Sequence, residues 1–282
     1  MFRPKYLLLL LSLAALPAVA QRLDEAVLVC SYDFRWSQDT VTLEKWGEDR
    51  IMLLVGPSVS LSYSYYTHAA DTVADAPGAV LAATAGRAPK YTRRSEWYVY
   101  KNWPQGKMTV TENIATDYFR YTDELRPQRW TMAPDGDTCR IAGYLCRRAE
   151  CQWRGCRWRA WFAPELAVSD GPWKLGGLPG LILRAEDERG HYRFTLTGLE
   201  RGSGRAIEFV RPRSYMSGGT WQDTDRRKLA AARLRYLTNM VRYLNLRYAT
   251  VTEQGEELNF DFLKGEDTPP RYDFAERDYA GE

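Results

Sequence analysis

The stretch CRIAGYLCRRAECQWRGCRWRAWF, residues 139–162, decides the fold class. Its apolar and polar residues alternate, the period of a half-buried strand, and WRG interrupts it with a turn signal. A two-residue connection at Trp153–Arg154 sets Cys151 opposite Cys156, Ala149 opposite Trp158 and Leu145 opposite Phe162. Leu145, Ala149, Trp158 and Phe162 then share a core face. The other face carries Arg148, Arg159 and Trp161, with the two arginines opposed. Like charges directly opposite repel unless solvent or a carboxylate lies between them. This face is therefore either a solvated arginine surface or a patch that recognises an anionic group.

Similar strand patterns recur on both sides of this hairpin. AVLVCSYDFRW (26–36), RIMLLVG (50–56) and VSLSYSYY (59–66) read as strands, the last two parted by a Gly56–Pro57 turn. SEWYVYKN (95–102) and GKMTVTEN (106–113) flank a hairpin connection at Trp103–Gly106, and DYFRYTDE (117–124) follows. Segments 178–187 and 191–200 form another pair, and a last strand is expected near Arg205–Val210. Thr67–Tyr91 reads as loop or as a short helix near Val80–Thr84. The period changes in TDRRKLAAARLRYLTNMVRYLNLRY (224–248), where apolar residues recur three or four apart, so a helix is expected. Many antiparallel strands followed by a helix imply a mainly β fold, with α+β as the alternative. The expected form is a curved antiparallel sheet or partial barrel with a C-terminal covering helix. A partial barrel offers a concave face for a ligand, whereas a sandwich would fill that volume with side chains.

The first twenty residues set the expected compartment. Arg3 and Lys5 precede the apolar run YLLLLLSLAALPAVA, which ends in small residues. That is the pattern of a signal peptide, residues 1–20, cleaved near Ala20. The rest, 21–282, reads as a single β-rich domain, periplasmic or secreted, with no transmembrane segment after the leader is removed. The net charge of +3 is close to balance and gives no nucleic-acid footprint.

Export makes the five cysteines candidates for disulfides. Cys151 and Cys156, opposed across the hairpin tip, are the expected structural bond; a four-residue QWRG turn would preserve it. Cys139 and Cys146 read as lying on one extended strand, too far apart to meet, and Cys30 could pair with either. The cysteine gaps do not form two close chelating pairs, so no metal site is expected. The two histidines, His68 and His191, have no evident thiol partner, and no cofactor motif is present.

GPWKLGGLPGLILRAED, residues 171–187, turns from glycine and proline into a strand. It reads either as a shaped strand entry, with a bulge at Gly180, or as a docking surface formed by Trp173, Gly176, Gly177, Pro179 and Gly180. The carboxylates Glu165, Asp170, Glu186, Asp187 and Glu188 run acid–base chemistry only if the fold brings them together. Glu186 and Asp187, adjacent on a strand, point to opposite faces.

Three segments, in order, carry a family resemblance: WPQGKMTVTE (103–112), DTCRIAGYLCRRA (137–149) and AWFAPELAVSDGPWKLGGLPGLILRAED (160–187). The chain resembles the GLPGLI family of secreted Bacteroidetes proteins. Cys156 stands where the family's RGR pattern has its second arginine, and Tyr272–Glu276 matches the family's closing motif only in part. The resemblance implies export, often alongside TonB-dependent outer-membrane receptors, and it supplies no catalytic residues. The expected function is a non-enzymatic periplasmic or secreted binding or carrier protein for a lipophilic or peptide ligand. The alternatives are an assembly or accessory factor for a TonB-dependent outer-membrane receptor and a carboxylate-dependent hydrolase.

Overall fold

The computed structural model describes residues 21–76, 78, 81–82, 85–86, 91–115, 117–134, 136–210, 220–240, 242, 250–251, 257–258 and 275–278. The expected leader, 1–20, lies outside them, as does most of the short helix expected near Val80–Thr84. The elements run β1 Gln21–Glu25, β2 Leu28–Ser37, β3 Trp46–Val55, β4 Ser60–Ser64, α1 Tyr65–Asp75, β5 Trp97–Lys101, β6 Lys107–Ile114 and β7 Asp117–Glu124. They continue with β8 Thr131–Met132, β9 Thr138–Ile141, β10 Tyr144–Trp153, β11 Cys156–Ala163, β12 Leu181–Asp187, β13 Tyr192–Arg201, β14 Ala206–Phe209, β15 Gln222–Asp223 and α2 Arg226–Thr238. Two-residue strands β16 (Thr250–Val251) and β17 (Glu257–Leu258) pair with each other.

Among the described residues, a 13-stranded sheet has the order β15-β7-β6-β5-β4-β3-β2-β13-β12-β11-β10-β8, with β9 also on β10. Every pairing in it is antiparallel except β15 with β7. The sheet is curved and open, so the fold is mainly β without barrel closure. β1 and β14 form a separate ribbon. The strand expected at 205–210 is thus present but does not extend the main sheet.

The central strands read as continuous apolar runs because both of their faces are covered. Leu28, Cys30, Tyr32 and Phe34 of β2, with Ile51, Leu53 and Val55 of β3, join one core with Trp158, Phe162, Leu175, Leu178 and Ile182. Val29, Met52 and Leu54 face the other way, against Ala26, Ile207 and Phe209 beside the β1–β14 ribbon. Fully burying one such large side chain contributes about 1.5–3 kcal/mol, so the two cores together fix the register of β2 and β3.

Several expectations change. The 139–152 run is not one strand. It reverses at Ala142–Gly143, where both residues have positive φ (49° and 86°), the geometry of a tight hairpin turn. The next turn is at Arg154–Gly155, also with positive φ at both residues (49° and 76°), not at Trp153–Arg154. Trp153 therefore lies opposite Cys156, and Cys151 opposite Trp158. Cys151 and Cys156 become diagonal neighbours, about 7–8 Å apart and beyond the reach of a disulfide. All five cysteines carry thiols in this structure. The inward set Ala149, Trp158 and Phe162 is buried, but Leu145, expected with them, is exposed.

Helix α1 occupies a stretch expected as strand end and loop. Ser64 starts it, its hydroxyl accepting from the Thr67 N–H at 3.1 Å. Helix α2 is the expected C-terminal helix over a shorter span; of its residues, Leu229 and Ala230 are buried. Positions 241 and 243–248 of the expected helix lie outside the described residues.

Candidate functional site

The GLPGL segment forms a loop between β11 and β12 that packs into the larger core. Lys101, at the end of β5, holds it from the sheet. Its buried ammonium donates to Asp170 Oδ1 at 2.5 Å, Gly171 O at 2.7 Å and Leu175 O at 2.6 Å. An ammonium has three donors, and this loop takes all of them. Gln128 clamps the next turn, its Nε2 donating to Lys174 O and its Oε1 accepting from Gly176 N, both at 3.0 Å. Trp130 Nε1 donates to Gly176 O at 2.8 Å, Tyr32 Oη to Ile182 O at 2.8 Å, and Trp173 N to Ser62 Oγ at 3.0 Å. The backbone groups that a docking peptide would need are thus largely taken up within the fold. Gly180 has φ +151°, and a Cβ there would sit 2.3 Å from Ala163 O, so glycine is required by close approach. Gly176 is half-buried, while Gly177 and Pro179 are exposed.

Trp173 turns inward and is 7% exposed. Together with Lys174 it forms one wall of a cavity of about 430 Å³ between the sheet and α2. Much of the remaining lining is aromatic. Phe34 and Phe194 stack with ring centroids 4.3 Å apart, Phe34 and Trp36 at 5.1 Å, and Phe34 and Tyr192 at 6.4 Å. Register explains this ladder: Phe34 is paired with Phe194 and Trp36 with Tyr192 across β2 and β13. Trp97, Ile114 and Tyr236 add further apolar surface.

The polar end of the cavity is a set of buried and half-buried ion pairs. Glu276 accepts from Lys174 Nζ at 2.8 Å and from Arg154, which also donates to Asp123 Oδ2 at 2.8 Å. Arg233 of α2 pairs with Glu112 of β6, Nε to Oε1 at 2.6 Å. Burial by itself would raise the Glu276 pKa, but Lys174 and Arg154 outweigh it and hold the carboxyl down at about 2. Burial pushes Lys174 down to about 8, with Glu276 opposing. The Lys174 ammonium also lies 4.9 Å from the Trp173 ring centroid and 5.5 Å from that of Tyr121. Every charge named here has an internal counter-charge, so an uncharged or apolar group fits this end best.

Arg148, Arg159 and Trp161, also singled out in the sequence, do not line this cavity. Arg148 lies opposite Trp161, and Arg159 opposite Glu150, because of the corrected register. Glu150 lies between the arginines, accepting from Arg148 Nη1 at 3.2 Å and Arg159 Nε at 3.3 Å. Arg148 also pairs with Asp137, and Trp161 lies under the Arg184 guanidinium at 4.6 Å. This arginine face is neutralised by its own carboxylates and lies on the far side of β10 and β11 from Trp158.

The acidic residues have separate partners. Asp170 binds Lys101, Glu186 binds Arg159, Arg184 and Arg193, and Asp187 accepts from Tyr192 N. Glu165 is exposed. Glu186 and Asp187 do diverge across β12 as alternation requires. Burial raises the Asp187 pKa, with the Tyr192 N–H opposing. Among the described residues, no three His, Cys, Asp or Glu side chains are grouped to hold a metal. No described helix is long and apolar enough to cross a membrane.

The sequence reading found Trp173 but missed Glu276, Arg154, Glu112 and Arg233. Glu276 lies within the tail stretch 272–276 quoted for the resemblance, but nothing local in that stretch marks it as a partner of Lys174.

Neither a protein-family model nor a curated protein sequence matches this chain. Among solved structures, it is similar to PNGF-II in a C2 space group, at 14% identity and TM-score 0.45, covering 73% of this chain and 32% of that one. The P21 structure of PNGF-II gives 13% identity, TM-score 0.46, and 74% and 33% coverage. This chain thus spans about a third of the PNGF-II chains, and a likeness so slight carries nothing about activity.

Proposed function

We propose that this chain is a non-enzymatic binding or carrier protein that takes the apolar part of a lipophilic or peptide ligand into the 430 Å³ cavity. The observation that carries this reading is the stacked row of Trp36, Phe34, Phe194 and Tyr192, which lines that space together with Trp173. Pockets that bind small molecules are mostly apolar, with a few placed polar groups, and are of this size. Ion-paired Lys174–Glu276 and Arg233–Glu112 supply those polar groups at one end. Residues 1–20 and the GLPGLI resemblance support a periplasmic or secreted location.

Native mass spectrometry of gently purified chain, followed by fluorescence titration with a dansylated fatty acid and with a hydrophobic tripeptide, tests the reading. Saturable one-site binding of either probe is expected, weakened about tenfold, or ~1.4 kcal/mol, by Trp97→Ala. Absence of both a co-purified ligand and saturable binding would overturn it. Capture of an intact outer-membrane receptor without small-ligand binding would favour the accessory-factor reading instead.

A further inference from the structure

Of the five cysteines, Cys139 and Cys146 are the two that face each other across a strand ladder. The Ala142–Gly143 turn folds β9 back on β10 and makes them direct partners. Opposed residues in an antiparallel pair have Cα atoms about 4.5–5.5 Å apart, within the span of a disulfide. They are electrostatic neighbours as well: a charge on Cys139 helps to raise the Cys146 pKa, after burial, to about 11. Cys30 lies opposite Leu53 and Leu199, Cys151 opposite Trp158, and Cys156 opposite Trp153, so none of these three has a thiol across its ladder.

We propose that Cys139 and Cys146 are an oxidisable pair that forms a disulfide by exchange with an external disulfide, fastening β9 to β10. Two short strands share that edge of β10: β9 along Tyr144–Arg147 and β8 along Ala149–Glu150. A four-residue strand contributes few ladder bonds, so a covalent tie holds an edge that would otherwise fray or accept a foreign strand. Cys139 is partly exposed and Cys146 wholly buried, which assigns their order of reaction. Cys139 loses its proton, and its thiolate attacks one sulfur of the external disulfide. That S–S bond breaks, one external thiol leaves, and a mixed disulfide forms on Cys139. Cys146 then loses its proton and attacks the Cys139 sulfur, displacing the second external thiol. Two protein thiols are oxidised by two electrons in total, and the external disulfide is reduced to two thiols that take up the two protons.

The test equilibrates the purified chain in mixtures of reduced and oxidised glutathione, quenches with acid, alkylates, and maps peptides without reduction. The expected product joins Cys139 to Cys146 with loss of two hydrogens, while Cys30, Cys151 and Cys156 are alkylated. In the folded chain the bond forms at a glutathione ratio about tenfold more reducing than in the urea-unfolded chain, because the ladder holds the thiols together. Cys146→Ser traps one glutathione on Cys139, and Cys139→Ser leaves Cys146 largely unmodified. Alkylation of both thiols at every ratio, or linkage of either to another cysteine, overturns the proposal. Mapping of the parent chain decides the matter even if a variant fails to fold.

Discussion

Lys101 Nζ lies 2.5 Å from Asp170 Oδ1 in the protein interior, joining the end of β5 to the loop before Trp173. Burial lowers the Lys101 pKa, and the Asp170 carboxylate opposes that shift. Removing the ammonium leaves a buried carboxylate and two carbonyls, Gly171 O and Leu175 O, without their donor. Lys101→Met is therefore expected to destabilise the chain by about 3–5 kcal/mol. Urea unfolding of Lys101→Met beside a Lys101→Met/Asp170→Leu double variant checks this. The double variant should recover part of the loss; equal stability of parent and single variant would remove the anchoring role.

Gly180→Ala tests whether the GLPGL glycines shape the loop or contact a partner. At φ +151°, with Ala163 O 2.3 Å from the added carbon, the substitution should cost at least about 1–3 kcal/mol. Gly177→Ala should also destabilise, since it has φ +84° and Pro127 Cβ would lie 2.6 Å away. Gly136→Ala, with positive φ but nothing within 4 Å, isolates the backbone contribution and should cost about 1 kcal/mol. Thermal unfolding ranks the three. Unchanged stability for Gly180→Ala would contradict the close-packed reading of this loop.

What the sequence shows and hides follows from how local each cause is. The hairpin at Trp103–Gly106 and the sheet's antiparallel character were legible, because strand period and turn residues are short-range signals. The β9–β10 turn was not, since Ala142 gives no hint that it will adopt a left-handed φ of 49°. Moving the following turn by one residue, from Trp153–Arg154 to Arg154–Gly155, re-paired the whole hairpin and removed the expected Cys151–Cys156 bond. Helix α1 was hidden because tyrosine and threonine at its start favour strands, and the Ser64 cap is one local bond set against that preference. The site's ion pairs were hidden for another reason. Lys101 and Asp170 are 69 residues apart and Lys174 and Glu276 are 102 apart, and no local pattern announces such partners.

Gly155→Ala should loosen the C-terminal segment from the β10–β11 turn. A Cβ at Gly155 would stand 2.9 Å from Asp278 N, and Arg277 N donates to Arg154 O at 2.8 Å in that same contact. The added methyl must displace backbone, which is less yielding than a side-chain tip. Trypsin cleavage after Arg277 should become faster in the variant than in the parent. Equal cleavage rates would place the segment's hold elsewhere.

Glu276 gives the chain a specific acid sensitivity. Its pKa is about 2 in the fold against an ordinary 4.5, because Lys174 and Arg154 outweigh the effect of burial. Between those values the unfolded chain binds more protons than the folded one, so stability falls as pH falls. The contribution is complete above the ordinary value and is lost progressively as pH drops toward the folded one. Glu276→Gln removes that carboxylate and leaves Lys174 and Arg154 facing each other without it. The variant should be less stable than the parent at neutral pH, and the gap should narrow on acidification. Urea midpoints for both chains, taken from about pH 6 down to about pH 3, measure that gap directly. A gap constant across the range would mean that Glu276 holds its place by packing and hydrogen bonding, with its charge adding nothing.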